Sequence, residues 1–227
     1  MSVKLAILPQ TLTGLGRAGL RSYLSQHHGP LVMAHADVSG GFRAYVHHYA
    51  LDEADPVFAA PALEGRDALT IIRFAQIADM IASKASAGYR DVVGPDEDNF
   101  RELDGSVAML LAESVVRAGG DSAARKLFVF RPGVEADPAL AQSWADSVAQ
   151  VLASHPAEAI AAWRVNTVVR VAEGTPPGLI FDEIALDGPV PPALADALRD
   201  AARRQFPHGA ALSLCSAPLV FVPLQKD

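Results

Sequence analysis

Apolar and polar positions along this chain follow an order of elements that occurs twice. Lys4–Pro9 (KLAILP) is a short apolar run closed by proline, which predicts a strand. Lys126–Pro132 (KLFVFRP) echoes it about 120 residues later. A helix is predicted after each. In the first half Leu15, Leu20, Tyr23 and Leu24 form an apolar face, and Gly29-Pro30 supplies a break. In the second, Asp137 suits a cap and Pro138 the first helical position; Leu140, Trp144, Val148, Val151 and Leu152 follow at helical spacing, before His155-Pro156. Gly41–Leu51 and Ile160–Ala172 then carry aromatic and β-branched residues in rough alternation, the period of a strand. Each half continues with another strand (Leu69–Ala75, Gly178–Leu186) and another helix (Gln76–Lys84, Pro192–Gln205). Each closes on an apolar strand, Ser106–Val116 or Ala210–Pro223, and Pro218 in the latter predicts an edge position or a bulge.

The order β-α-β-β-α-β, twice, predicts an α+β fold of two ferredoxin-like units, each an antiparallel sheet with helices on one face. Residues 1–117 form the first unit, 118–124 (AGGDSAA) a small, flexible linker and 125–227 the second. A ferredoxin-like sheet leaves one face bare. Two such sheets facing each other within one chain would cover both, as an α+β barrel with the helices outside.

Composition narrows the class of partner. The 227 residues are 50% hydrophobic and 20% charged, a globular composition. One cysteine, Cys215, excludes an internal disulfide and any CxxC metal or cluster site, and its apolar run makes a buried, inert thiol the expectation. A net charge of −7 argues against nucleic-acid or anionic-membrane partners. Met1-Ser2-Val3-Lys4 lacks a signal peptide's apolar run, and no apolar run approaches the ~20 residues of a membrane span. A cytoplasmic location is the expectation.

Candidate chemistry concentrates in the first half. Five of seven histidines precede residue 49: His27, His28, His35, His47 and His48. Histidine is the side chain most easily poised for proton transfer near neutral pH. Strand alternation sends only one of His47 and His48 to a given face. Arg43, Tyr45 and His47 share one face; Phe42, Ala44, Val46 and His48 share the other, which is the more apolar, and the pattern leaves both open. Asp96-Glu97-Asp98 reads as a solvated turn rather than a metal site, and Trp144 and Trp163 as core anchors.

The segment Tyr23–Val32 (YLSQHHGPLV), an aromatic residue ahead of His28-Gly29-Pro30-Leu31 after the first helix, resembles the EthD family of the dimeric α+β barrel superfamily. Tyr45-Val46-His47-His48 matches that family's aromatic/histidine strand, and Asp96, Glu97 and Asp98 ahead of Phe100 match its acidic segment before the last strand. The resemblance spans roughly residues 3–116; no His-Gly-Pro stands in the second half, so the duplication implies a pseudo-dimer with one degenerate unit. It implies a cofactor-independent acid–base enzyme, of isomerase, cyclase, decarboxylase or dehydratase type, acting on a small apolar oxygenated compound. His28 would be base or acid, with Tyr45 and one of His47 and His48 as partners. Tyr23, Phe42 and Phe74 would contact substrate. No metal is expected. The alternative is a barrel interior that binds a lipophilic molecule without chemistry, or haem through one histidine. The resemblance also allows a homodimer.

Overall fold

Open strand edges govern how the two halves meet. The computed structural model describes residues 2–50, 63–119, 125–131, 138–154, 160–186, 192–205 and 212–222. Strands β1 (Val3–Thr11), β2 (Phe42–Ala50), β3 (Ala68–Phe74) and β4 (Arg101–Arg117) belong to the first half. Strands β5 (Arg125–Arg131), β6 (Ile160–Glu173), β7 (Ile180–Leu186) and β8 (Leu212–Val222) belong to the second. Each half pairs its strands in the ferredoxin-like order, first strand beside third and fourth, so its second and fourth strands would be edges. An edge presents unpaired backbone N–H and C=O groups. Here β2 pairs β8 and β4 pairs β6, and the eight strands close into one antiparallel barrel, β1-β3-β2-β8-β5-β7-β6-β4. The expected facing sheets are thus joined at both edges. In β8, Pro218 lies opposite His48 of β2, beyond Ser216, where the register with β5 ends among the described residues. Most of the expected linker, residues 120–124, lies outside the described residues, as do Asp137 and His155-Pro156.

Alternation sorts each strand between the barrel interior and the outer, helix-covered face. Inward residues include Leu8, Leu69, Met109, Phe128, Phe130 and Phe181, which pack into one apolar cluster. Among the described residues this cluster occupies the barrel interior. The two echo lysines meet there: Lys4 Nζ donates to Glu183 Oε2 at 2.7 Å and Lys126 Nζ to Glu183 Oε1 at 2.5 Å. All three side chains are buried, so each charge needs the others.

The outer layers of the two halves differ. Over the second sheet, α6 (Pro138–Ala153) and α7 (Pro192–Gln205) pack Trp144, Val148, Leu194 and Leu198 against Leu127, Trp163 and Ile184. Both tryptophans are core anchors, as expected. Over the first sheet lie α1 (Gly16–Tyr23), α2 (Gly29–Ala34), α3 (Ala36–Ser39), α4 (Ile77–Ala85) and α5 (Gly94–Asp96). The predicted break at Gly29-Pro30 does not occur. A π turn over Leu24–His28 joins α1 to α2, with the Gly29 N–H donating to Leu24 five residues back. A second π turn, Tyr89–Val93, precedes Gly94-Pro95 in the same way, with the Gly94 N–H donating to Tyr89. Proline lacks an N–H, and its ring would meet the carbonyl four residues back; the wider turn lets the helix continue past it.

Candidate active site

A cavity lies between the first sheet and its own helices, outside the barrel, with a volume of about 460 Å³. Its floor is two rows of residues in register across five strands. One row runs Arg170 (β6), Leu110 (β4), Leu5 (β1), Ile72 (β3), Tyr45 (β2). The other runs Glu173, Ala108, Ile7, Thr70, His47 over the same strands. Leu24, His28 and Val32 roof one end, and Ile77, Ile81 and Lys84 of α4 border the cavity from the helix side. Such a mostly apolar cleft with a few convergent polar groups is the usual form of a small-molecule site.

His28 is brought to this cavity by the π turn. It is buried, and its ring lies 4.6 Å from that of Phe100. Nδ1 meets Asp96 Oδ2 at 2.8 Å, while the Tyr23 hydroxyl donates to Asp96 Oδ1 at 2.7 Å. Burial alone would raise the Asp96 carboxyl, but hydrogen bonds from Tyr23 and His28 outweigh it and hold the group below its ordinary value. An ionised carboxylate only accepts, so Nδ1 carries a proton and Nε2 is the nitrogen that faces away from Asp96. Burial, then Asp96, pushes the Tyr23 phenol up to about 12, so it stays a donor. Tyr23 therefore acts on His28 through Asp96 and is not a lining residue.

Tyr45 and His47 both face the cavity. His47 Nε2 shares a hydrogen bond with the Tyr45 hydroxyl at 2.8 Å, and Nδ1 one with Thr70 Oγ1 at 2.9 Å. Burial, with a smaller contribution from His28, lowers the ring to about 3, so it is neutral and uses both nitrogens within the protein. Burial likewise raises Tyr45 far above its ordinary value. His48 points the other way, into the barrel, with its ring 4.9 Å from Phe128, and burial beside Lys126 lowers it well below its ordinary value. The more apolar face of β2 is thus the core face. Strict alternation fails at its start, where a bulge between Phe42 and Ala44 returns Phe42 to the cavity side with Tyr45. Phe42 and Phe74 line the cavity and pack edge to face.

Two features escaped sequence reasoning. Asp96 and Glu97 are not a solvated turn: Asp96 holds His28, and Glu97 accepts from the Tyr89 hydroxyl at 2.9 Å and from Arg101. Asp98 alone of the three is exposed. The second half also contributes. Phe221 of β8 stacks on Tyr45 at 5.1 Å and lies edge-on to His47 at 5.2 Å. A Cβ on Gly29 would overlap the Phe221 ring, which explains the glycine between His28 and Pro30. Among the described residues, no cluster of three or more His, Cys, Asp or Glu side chains converges as metal ligands do. Cys215 lies in β8, with its side chain outside the described residues.

Residues 12–104 match the EthD domain family. Over that stretch the chain is similar to EthD domains. The match spans the π turn, His28, the aromatic/histidine strand and Asp96, and ends early in β4. No curated protein sequence matches the chain. Solved structures with the same fold include an anthrone oxidase-like protein, at 13% identity and a TM-score of 0.60 over 96% of this chain and 90% of that one. A candidate chlorite dismutase aligns at 9% identity and TM-score 0.53, over 96% and 95% of the two chains. A candidate monooxygenase of Fusobacterium nucleatum aligns at 10% and 0.51, over 99% and 92%. Alignment over nearly the full length shows that the second half belongs to the same barrel architecture as the EthD-like domain. Among the described residues no helix is long and apolar enough to cross a membrane.

Proposed function

We propose that the EthD-like domain is an acid–base enzyme that removes and returns a proton next to a carbonyl of a small apolar oxygenated compound. The observation that carries this is the His28–Asp96 pair on the wall of a mostly apolar cavity. In this reading His28 Nε2 takes the proton from carbon, and the resulting imidazolium is steadied by the Asp96 carboxylate. His47, accepting from Thr70 and donating through Nε2 to Tyr45, leaves the Tyr45 O–H to donate to the developing enolate oxygen. Return of the proton from Nε2 to the same or another carbon completes exchange or isomerisation. His48, on the core face, takes no part. The single cysteine and acidic charge favour work in the cytoplasm.

Anthrone, an apolar tricyclic ketone with an acidic C–H, is a suitable probe. Under argon in deuterated buffer, the protein should accelerate exchange at its methylene carbon. His28→Ala should lose about 10²–10⁴-fold of that rate, and the exposed His27→Ala should lose none. Equal rates with and without His28 would remove the proposal.

A second reading is haem binding, supported by one observation: the hydrogen bond from Nδ1 to Asp96 is the arrangement that orients a histidine for metal ligation through its other nitrogen. His47 is unsuited, because both its nitrogens are engaged. His28 would hold the iron. Bound haem would supply redox chemistry at the iron. Titration with haem decides this reading: a Soret shift that His28→Ala abolishes supports it, and an unchanged spectrum ends it.

A further inference from the structure

The β6 end of the cavity is as specific as the His28 end. Its lining residues include three cations, Lys84, Arg101 and Arg170, and two carboxylates, Glu97 and Glu173. Arg101 bridges both carboxylates, donating to Glu97 Oε2 at 2.5 Å and to Glu173 Oε1 at 2.6 Å. Lys84 lies over the Tyr89 ring and donates to its hydroxyl, which in turn donates to Glu97. Three cations thus face two carboxylates, and of the three Arg170 alone has no hydrogen bond or ion pair among the described residues. Arg170 is exposed, as are Ile77 and Ile81 of α4, at 46% and 58%. Together these residues mark the entrance, between a helix of the EthD-like domain and a strand of the second half.

The row Arg170–Leu110–Leu5–Ile72–Tyr45 joins this entrance to the polar end. Four strand-to-strand steps of about 4.8 Å make roughly 19 Å along the curved sheet. Between the ends the row is apolar. A guanidinium forks onto a carboxylate with two parallel hydrogen bonds, and a single surplus charge matches a monoanion.

We propose that the cavity takes an elongated, apolar monocarboxylate, with the carboxylate on Arg170 and the opposite, oxygenated end toward His28 and Tyr45. This deepens the proton-transfer reading and rests on it for the role of the inner end. The second half is then a recognition element of the site as well as a partner sheet. The net charge of −7 repels anions overall, so any preference for a carboxylate must arise locally.

The test uses the full chain and a matched pair of probes, decanoate and 1-decanol, in titration calorimetry at pH 7.5. Decanoate should bind at least tenfold more tightly than decanol. R170Q should erase that preference while leaving decanol binding in place, R170K should restore part of it, and R90Q, at an exposed arginine outside the cavity lining, should keep it. Equal binding of the two probes by the wild type would overturn the proposal, as would a preference that survives in R170Q. So would anthrone exchange by a wild type that binds neither probe, since the proton-transfer site would then stand without carboxylate recognition. Loss of exchange in His28→Ala tests the inner end separately.

Discussion

Thr70 and Asp182 occupy equivalent positions in the two halves. With the echo Lys4/Lys126 as origin, Thr70 pairs with Ile7 on the neighbouring strand, and Asp182 with Val129, three residues beyond each lysine. In the first half Thr70 supports His47, which holds Tyr45, and a cavity stays open beside them. In the second, Val165 and Trp163 stand opposite Asp182 and Ile184 where His47 and Tyr45 stand opposite Thr70 and Ile72. Asp182 accepts from Trp163 Nε1 at 3.0 Å, Trp144 Nε1 at 2.7 Å and Arg131 Nε at 3.0 Å. Two indoles and an ion pair stand in the second half where the first half keeps its cavity.

Asp182→Ala should therefore cost about 3–5 kcal/mol of folding stability, because it strands the buried Arg131 and two indole N–H groups. Urea denaturation measures this. Thr70→Ala, at the equivalent position, should cost clearly less and act instead on the proton-exchange rate, through the tautomer of His47.

Gly29→Ala should destabilise by about 1–3 kcal/mol, since the new methyl overlaps the Phe221 ring. Phe221→Leu in the same chain should recover part of the loss. A double-mutant cycle with no coupling energy would contradict this contact across the two halves.

Asp96→Asn should slow anthrone exchange by about 10²–10⁴-fold while the protein stays folded, because Nδ1 loses its anionic acceptor. As a positioning residue, Asp96 should also shape the pH–rate profile: its acid limb moves to lower pH in the variant. A uniform loss of amplitude with an unmoved profile would indicate a structural role only.

Stability should fall as pH drops below about 6.5. In the folded chain burial lowers His47 to about 3, while the unfolded ring titrates near 6.5. Between those values the unfolded state binds a proton that the folded state refuses, so the contribution is complete above about 6.5 and declines toward 3, at about 1.4 kcal/mol per pH unit. His48, lowered by burial and Lys126, acts with the same sign. Denaturation at pH 7.5, 6.5 and 5.5 should show this decline, and His47→Gln/His48→Asn should flatten it.

The order of elements, the duplication, the unequal halves and the first-half location of the histidines could all be read from the chain, because they rest on local periodicity, echoes and residue counts. His28, Tyr45 and His47 were legible as candidates. The choice between His47 and His48 was not, since alternation assigns residues to two faces without saying which is covered by helices. The apolar company of His48 marks the barrel-interior face, the drier of the two. The pairing of His28 with Asp96, 68 residues apart, depends on two π turns that each carry a helix past a Gly-Pro, and local rules predict a break there. Whether the sheets merely face or join was also settled in three dimensions: the free edges of β2 and β4 find β8 and β6, and that closure brings Phe221 and Arg170 to a site built by the other half. Sequence alone determined the parts and their order, since those follow from neighbours along the chain. Tertiary structure decided which faces are dry, which charges are left over and where the cavity opens, since those depend on what packs against what.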